Sequence, residues 1–121
     1  MAEMLGESKT YALAEMPVRK MANGGESRDI LWGTLATGEA IGVHASMQPV
    51  GMAPNPQHRI EHSEVICVLE GELEFQRGES KELVGPGGVI YVALGTLHTV
   101  RNVGAVPARY VVVAVGGDVK G

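Results

Sequence analysis

Among its 121 residues the chain has one cysteine, one tryptophan, one phenylalanine and three tyrosines. A single cysteine, Cys67, excludes an intrachain disulfide and a thiolate zinc cluster. No apolar run approaches the roughly 18 to 20 residues of a membrane-spanning helix, so no membrane partner is expected. Lysine and arginine form no cluster and the formal net charge is −4. Nucleic acid is therefore not an expected partner. Met1 to Ala14 lack the charged-then-apolar layout of a secretory signal, which points to the cytoplasm. Glycine, by contrast, is abundant. There are 17 glycines and six prolines, glycine being twice its average usage of about 7%. Such a composition disfavours long helices, whose interiors glycine weakens. With 45% hydrophobic and 20% charged residues, the chain reads as one globular β domain.

The strand signals are short and separated by turn chemistry. Thr10–Leu13 and Val18–Met21 are weak candidates before the Asn23-Gly24-Gly25 turn. Ile30–Leu35 and Ala40–Met47 are joined across Thr37-Gly38-Glu39, a hairpin signal. Val50–Gln57 reads as a loop. Glu64–Leu69, Glu72–Gln76 and Lys81–Val84 form a meander broken at Gly71 and Gly78. Val89–Val92, His98–Arg101 and Arg109–Val115 complete the set. No apolar spacing of helical period is sustained. Regular short strands of this kind predict an all-β sandwich or barrel.

Four histidines carry the chemical information: His44, His58, His62 and His98. In one extended strand, positions 58, 60, 62 and 64 share a face, so two imidazoles and a carboxylate stand together. Imidazole and carboxylate suit iron, zinc, manganese or nickel. A polar strand end with surface histidines is the competing reading. His44 alternates with Val43 and Ala45, and if the apolar set faces the core His44 faces outward. Cys67, offset by three from Glu64, points away from it and reads as a small buried thiol. Trp32 reads as packing, whereas Gln48, Tyr91 and Met47 are candidates to line a cavity.

Two spacings go further. His58-Arg59-Ile60 is followed by three residues, Glu64, six residues and Gly71. Gly87 is followed by five residues, Ala93-Leu94-Gly95-Thr96-Leu97-His98, three residues and Asn102. Together these resemble the two motifs of the cupin superfamily. Pro17-Val18-Arg19, Gly25-Glu26-Ser27-Arg28, Thr37-Gly38 and Asn55–Glu64 extend the resemblance to a bacterial subgroup of single-domain cupins. It covers about Tyr11 to Val115. Ile60 replaces the second histidine of the first motif, and Ala93 the usual proline of the second.

The resemblance implies an all-β fold, a jelly-roll β-barrel (the double-stranded β-helix) of two antiparallel sheets and about ten strands, with a pocket in its mouth. Residues 23–121 form the barrel. Residues 1–22 fit an N-terminal segment exchanged between the copies of a homodimer. His58, Glu64 and His98 occupy three of the family's four ligand positions for a divalent transition metal (iron, zinc, manganese or nickel). His62 lies about 7 Å along a strand from position 60, so it either replaces the missing ligand through a bulge or supports the others at the rim. The function implied is a metal-dependent enzyme acting on a small molecule. A dioxygenase is the first choice, with isomerase and lyase as alternatives, and Glu64 is a candidate proton carrier. A binding module with a degenerate or metal-free pocket is the competing function.

Overall fold

The structure, a computed structural model, describes residues 4–53 and 55–119. The first three residues of the N-terminal segment, Pro54 of the 50–57 loop and the last two residues of the barrel segment lie outside the described residues. After a short 3-10 turn at Leu13–Glu15, the strands follow in order. They are β1 (Arg19–Lys20), β2 (Glu26–Thr34), β3 (Ala40–Gln48), β4 (His58–Arg59) and β5 (Ser63–Glu70). Then come β6 (Leu73–Arg77), β7 (Ser80–Val84), β8 (Val89–Val92), β9 (Leu97–Asn102) and β10 (Ala108–Val115). Thr10–Leu13 forms no strand; its end enters the 3-10 turn instead.

Two antiparallel sheets result, as the resemblance implies. One has six strands in the order β1-β2-β3-β10-β5-β8, and the other four in the order β4-β9-β6-β7. The Asn23-Gly24-Gly25 turn closes through Met21 N–H to the Gly25 carbonyl and Asn23 Oδ1 accepting from Gly25 N–H. Across Thr37-Gly38-Glu39 the β2–β3 hairpin is held by Leu35 N–H to the Glu39 carbonyl. Gly71, where the chain leaves one sheet for the other, has φ +77, and a Cβ there would lie 2.8 Å from the Ala108 Cα and the Pro107 carbonyl oxygen. Only glycine fits both constraints.

Alternation along each strand fills the space between the sheets. Ile66 and Val68 of β5, Ile90 and Val92 of β8, Tyr110 and Val112 of β10, and Leu73 and Phe75 of β6 are buried in one cluster. Ile60 belongs to that cluster as well, at 7% exposure. The face pointing away from it on the six-stranded sheet is also apolar. Val43, Val113, Val65 and Tyr91 stand side by side across the ladders, as do Ala45, Val111, Cys67 and Val89. Cys67 thus points away from Glu64's face, as expected. Trp32, expected to be packing, is instead 52% exposed.

Two buried amides tie the sheets together. The Gln48 side-chain Nε2 donates to the Val100 carbonyl and the Tyr110 hydroxyl, both at 3.1 Å, while its Oε1 accepts from Asn102 N–H at 2.9 Å. Asn102 Nδ2 donates to the carbonyls of Gln48 and Val106, and its Oδ1 accepts from Gly104 N–H. Removing either amide strands several buried polar groups without partners. Asn102→Ala is expected to lower the unfolding free energy by about 2–4 kcal/mol, read from urea denaturation. A loss within experimental error contradicts this account of how the sheets are joined.

Candidate functional site

Between the sheets, at the end where β4 and β5 meet, lies a cavity of about 170 Å³. The six-stranded sheet supplies His44 and Gln48 from β3, Glu64 and Ile66 from β5, and Tyr110 and Val112 from β10. The four-stranded sheet supplies His58 from β4 and His98, Thr99 and Val100 from β9, with Asn55 from the loop between β3 and β4. A larger groove of about 340 Å³ lies on the outside of the six-stranded sheet, against Leu13 and Ala14. None of the four histidines lines it, whereas His44, His58 and His98 all line the smaller cavity.

His58 and His98 are direct cross-strand partners, and their rings lie 5.2 Å apart, tilted by 35°. His98 is 4% exposed and packs against the Phe75 ring. Its Nδ1 is 2.9 Å from the Thr96 carbonyl, which can only accept. The proton therefore sits on Nδ1, and Nε2 is left for the cavity. His58 is exposed at the mouth. Ile60 points its hydrocarbon into the core at the position where the resemblance has a ligand, and its carbonyl accepts from Gly95 N–H.

The stretch from 58 to 64 departs from the extended strand expected of it. After Arg59 the chain leaves the four-stranded sheet, bends through Glu61 and His62, and enters the six-stranded sheet at Ser63. The two halves belong to different sheets, so alternation cannot be counted across the join. His62 is not among the residues lining the cavity. Its Nε2 lies 2.7 Å from Glu64 Oε2 and its Nδ1 2.6 Å from Asp118 Oδ1. Asp118, in the turn after β10, had no spacing signal in the sequence to mark it.

His44 is also turned relative to expectation. It pairs across the ladder with Val112, which pairs with Ile66, and all three face inward. The expectation rested on Val43 and Ala45 seeking the core, but the apolar set of β3 faces the outer side of the sheet, and its inner face carries Gly42, His44, Ser46 and Gln48. Of the candidates to line the cavity, Gln48 does so with its amide fully used, while Tyr91 is 66% exposed on the outer face. Met47 lines the outer groove.

His58, Glu64 and His98 thus border one cavity. Among the described residues, however, no three His, Cys, Asp or Glu side chains stand at a spacing that could hold a metal ion. Glu64 commits one oxygen to His62, and Ile60 contributes no donor. The arrangement does not fit a preformed metal centre.

A barrel of two antiparallel sheets with a histidine-lined and carboxylate-lined cavity at one end defines a class of small β-barrel proteins. The chain belongs to the cupin domain family, which matches residues 34–114. It is similar in fold to an RmlC-like cupin from Shewanella frigidimarina (13% identity, TM-score 0.74, covering 92% of this chain and 94% of that one). It is also similar to KdgF from a Halomonas species (14%, 0.75, 93% and 97%). A third likeness is to a predicted oxalate decarboxylase from Thermotoga maritima (16%, 0.70, 88% and 98%). A search of curated proteins found no significant match. No helix among the described residues is long and apolar enough to cross a membrane.

Protonation follows from these surroundings. Burial pulls the His62 pKa down, but the hydrogen bonds and charges of Glu64 and Asp118 outweigh it and raise the value above 6.5. Burial lowers that of His44. A raised histidine pKa adds stability that is complete below the unfolded value and is lost as pH rises through the folded one. The His62 contribution is therefore present below about pH 6.5 and fades above its elevated pKa. His62→Gln should remove that alkaline decline from a series of urea unfolding curves. An unchanged pH profile in the variant contradicts the assignment.

Proposed function

We propose that this cupin binds a small hydroxylated molecule in the barrel cavity by hydrogen bonds from its own side chains. The observation that carries this reading is the pair of acceptors that β5 and β9 present to the cavity. His98 offers Nε2, and Glu64 has one carboxylate oxygen not bonded to His62. Gln48, which could otherwise donate, is consumed by the bond network between the sheets. Acceptors of this kind are best satisfied by ligand O–H groups. The size is in keeping, since a cavity of about 150 Å³ holds a benzene-sized guest. The neighbours include proteins described as a predicted oxalate decarboxylase and as the polyketide cyclase RemF. The fold therefore serves several chemistries, and the site decides among them.

A second reading is a metal-dependent enzyme in which His58, Glu64 and His98 hold iron, zinc, manganese or nickel. The sharing of one cavity by these three side chains favours it. It requires Glu64 to leave His62 and the three donors to draw together. A thermal-shift screen of small polyols, sugars, hydroxy acids and aromatic compounds in the presence of EDTA separates the readings. The ligand-binding reading expects a saturable shift that persists in EDTA. His98→Ala should weaken that binding by about tenfold or more. Ligand binding that appears only with added metal, or that ignores His98→Ala, overturns it.

A homodimer is part of the same proposal. Leu69, Val89 and Tyr91 are 49%, 60% and 66% exposed on the outer apolar face of the six-stranded sheet. Apolar patches of this sort mark association surfaces. Light scattering is expected to give twice the chain mass, and a monomer that persists on concentration contradicts it.

A further inference from the structure

We infer that His62 takes the place of a metal ion as the cationic partner of Glu64, held there by the C-terminal turn. The inference deepens the ligand-binding reading, since it names the charge partner that Glu64 keeps when the cavity takes its ligand without a metal. Both ring nitrogens of His62 contact carboxylate oxygens, Nε2 to Glu64 Oε2 and Nδ1 to Asp118 Oδ1. Carboxylates accept and do not donate, so an imidazole meets both only by donating from each nitrogen. The bridge is therefore a pair of charge-assisted hydrogen bonds. The Glu64 and His62 side chains are 15% and 17% exposed, so water competes little for the contact between them.

The turn that supplies Asp118 is built against the bend carrying His62. Asp118 N–H donates to the Glu61 carbonyl at 3.0 Å, and Gly116 N–H donates to the Ala40 carbonyl at 2.8 Å. Gly117 has φ +56, and a Cβ placed there would fall 1.7 Å from the Glu61 carbonyl oxygen. Any side chain at 117 would force the turn off the bend. The chain thus uses a backbone contact that only glycine permits to hold Asp118 against His62, and His62 against Glu64. With Ile60 filling the neighbouring position with hydrocarbon, the cavity keeps its carboxylate but presents no gathered donor set.

Calorimetric titration with zinc alone, which imidazole and carboxylate donors suit, tests this. Wild type should bind zinc weakly. His62→Ala releases Glu64 and should tighten binding by about 10- to 100-fold, the worth of one charge-assisted hydrogen bond. Asp118→Asn, which keeps the fold and shape of the turn, should shift affinity in the same direction by less. The gain must vanish in the His62→Ala, His98→Ala double variant, which places it in the cavity. Wild type binding zinc in the cavity as tightly as His62→Ala overturns the inference, as does equal weak binding by all variants. Equal weak binding, with the polyol screen in EDTA still positive, sinks His62's role and leaves the ligand-binding reading standing. If His62→Ala fails to fold, Asp118→Asn alone decides, and an affinity equal to wild type counts against the inference.

Discussion

The buried amide of Gln48 is the constraint on which the rest of the barrel depends. It sits at the end of β3 and reaches into the opposite sheet, where it satisfies the backbone of β9 at Val100 and Asn102. Hydrophobic burial presses two sheets together but does not fix how one slides over the other, because it has no direction. A buried hydrogen bond does fix it, since a slip of one residue would leave several polar groups unpaired. His98 lies four residues before Asn102 on the same strand, and Tyr110 shares the Gln48 amide. The register that this amide sets is the register that brings His98, together with its partner His58 in the same sheet, over Glu64's face.

Much of this was legible in the sequence, and the reasons for success and failure are physical. Spacing between glycines and histidines survives as a signal because turn geometry fixes it. Gly71, Gly87 and Gly95 all adopt positive φ, where other residues are strained. The short strands and the hairpin at Thr37-Gly38-Glu39 follow from the same punctuation, and the two sheets from the motifs that it frames. Facing was harder. On β3 the apolar set Ile41, Val43, Ala45 and Met47 faces outward and leaves His44 on the inner face, so hydrophobicity points the wrong way where the outer face of a sheet is apolar. The 58–64 stretch defeats strand parity because alternation holds within a strand and not across a bend between sheets. Asp118 could not have been found at all. Its partner lies 56 residues away, and nothing local to a short acidic turn announces a distant imidazole.

The site itself shows how one substitution reorganises its surroundings. With isoleucine at position 60, the core gains a side chain and the cavity loses a donor. Glu64 remains on the inward face, and a carboxylate in such a place needs a counter-charge or strong donors. His62 and Asp118 provide an arrangement in which every ring nitrogen and at least one carboxylate oxygen are satisfied. Among the described residues, no buried side-chain nitrogen or oxygen lacks a partner.

The shortness of β4 has a consequence for how anything enters. Its two residues, His58 and Arg59, pair with β9 at the margin of the smaller sheet. They are further held by Arg59 donating to the Gly95 carbonyl and Gly95 N–H donating to that of Ile60. Such a fragment has little cooperative support, and segments of that kind open locally at a fraction of the global unfolding cost. His98, Gln48 and Tyr110 belong instead to long strands buried on their inner side. The barrel therefore has a soft doorpost and a rigid back wall: on the ligand-binding reading the entrance frays to admit a guest while the groups that orient it stay where folding put them.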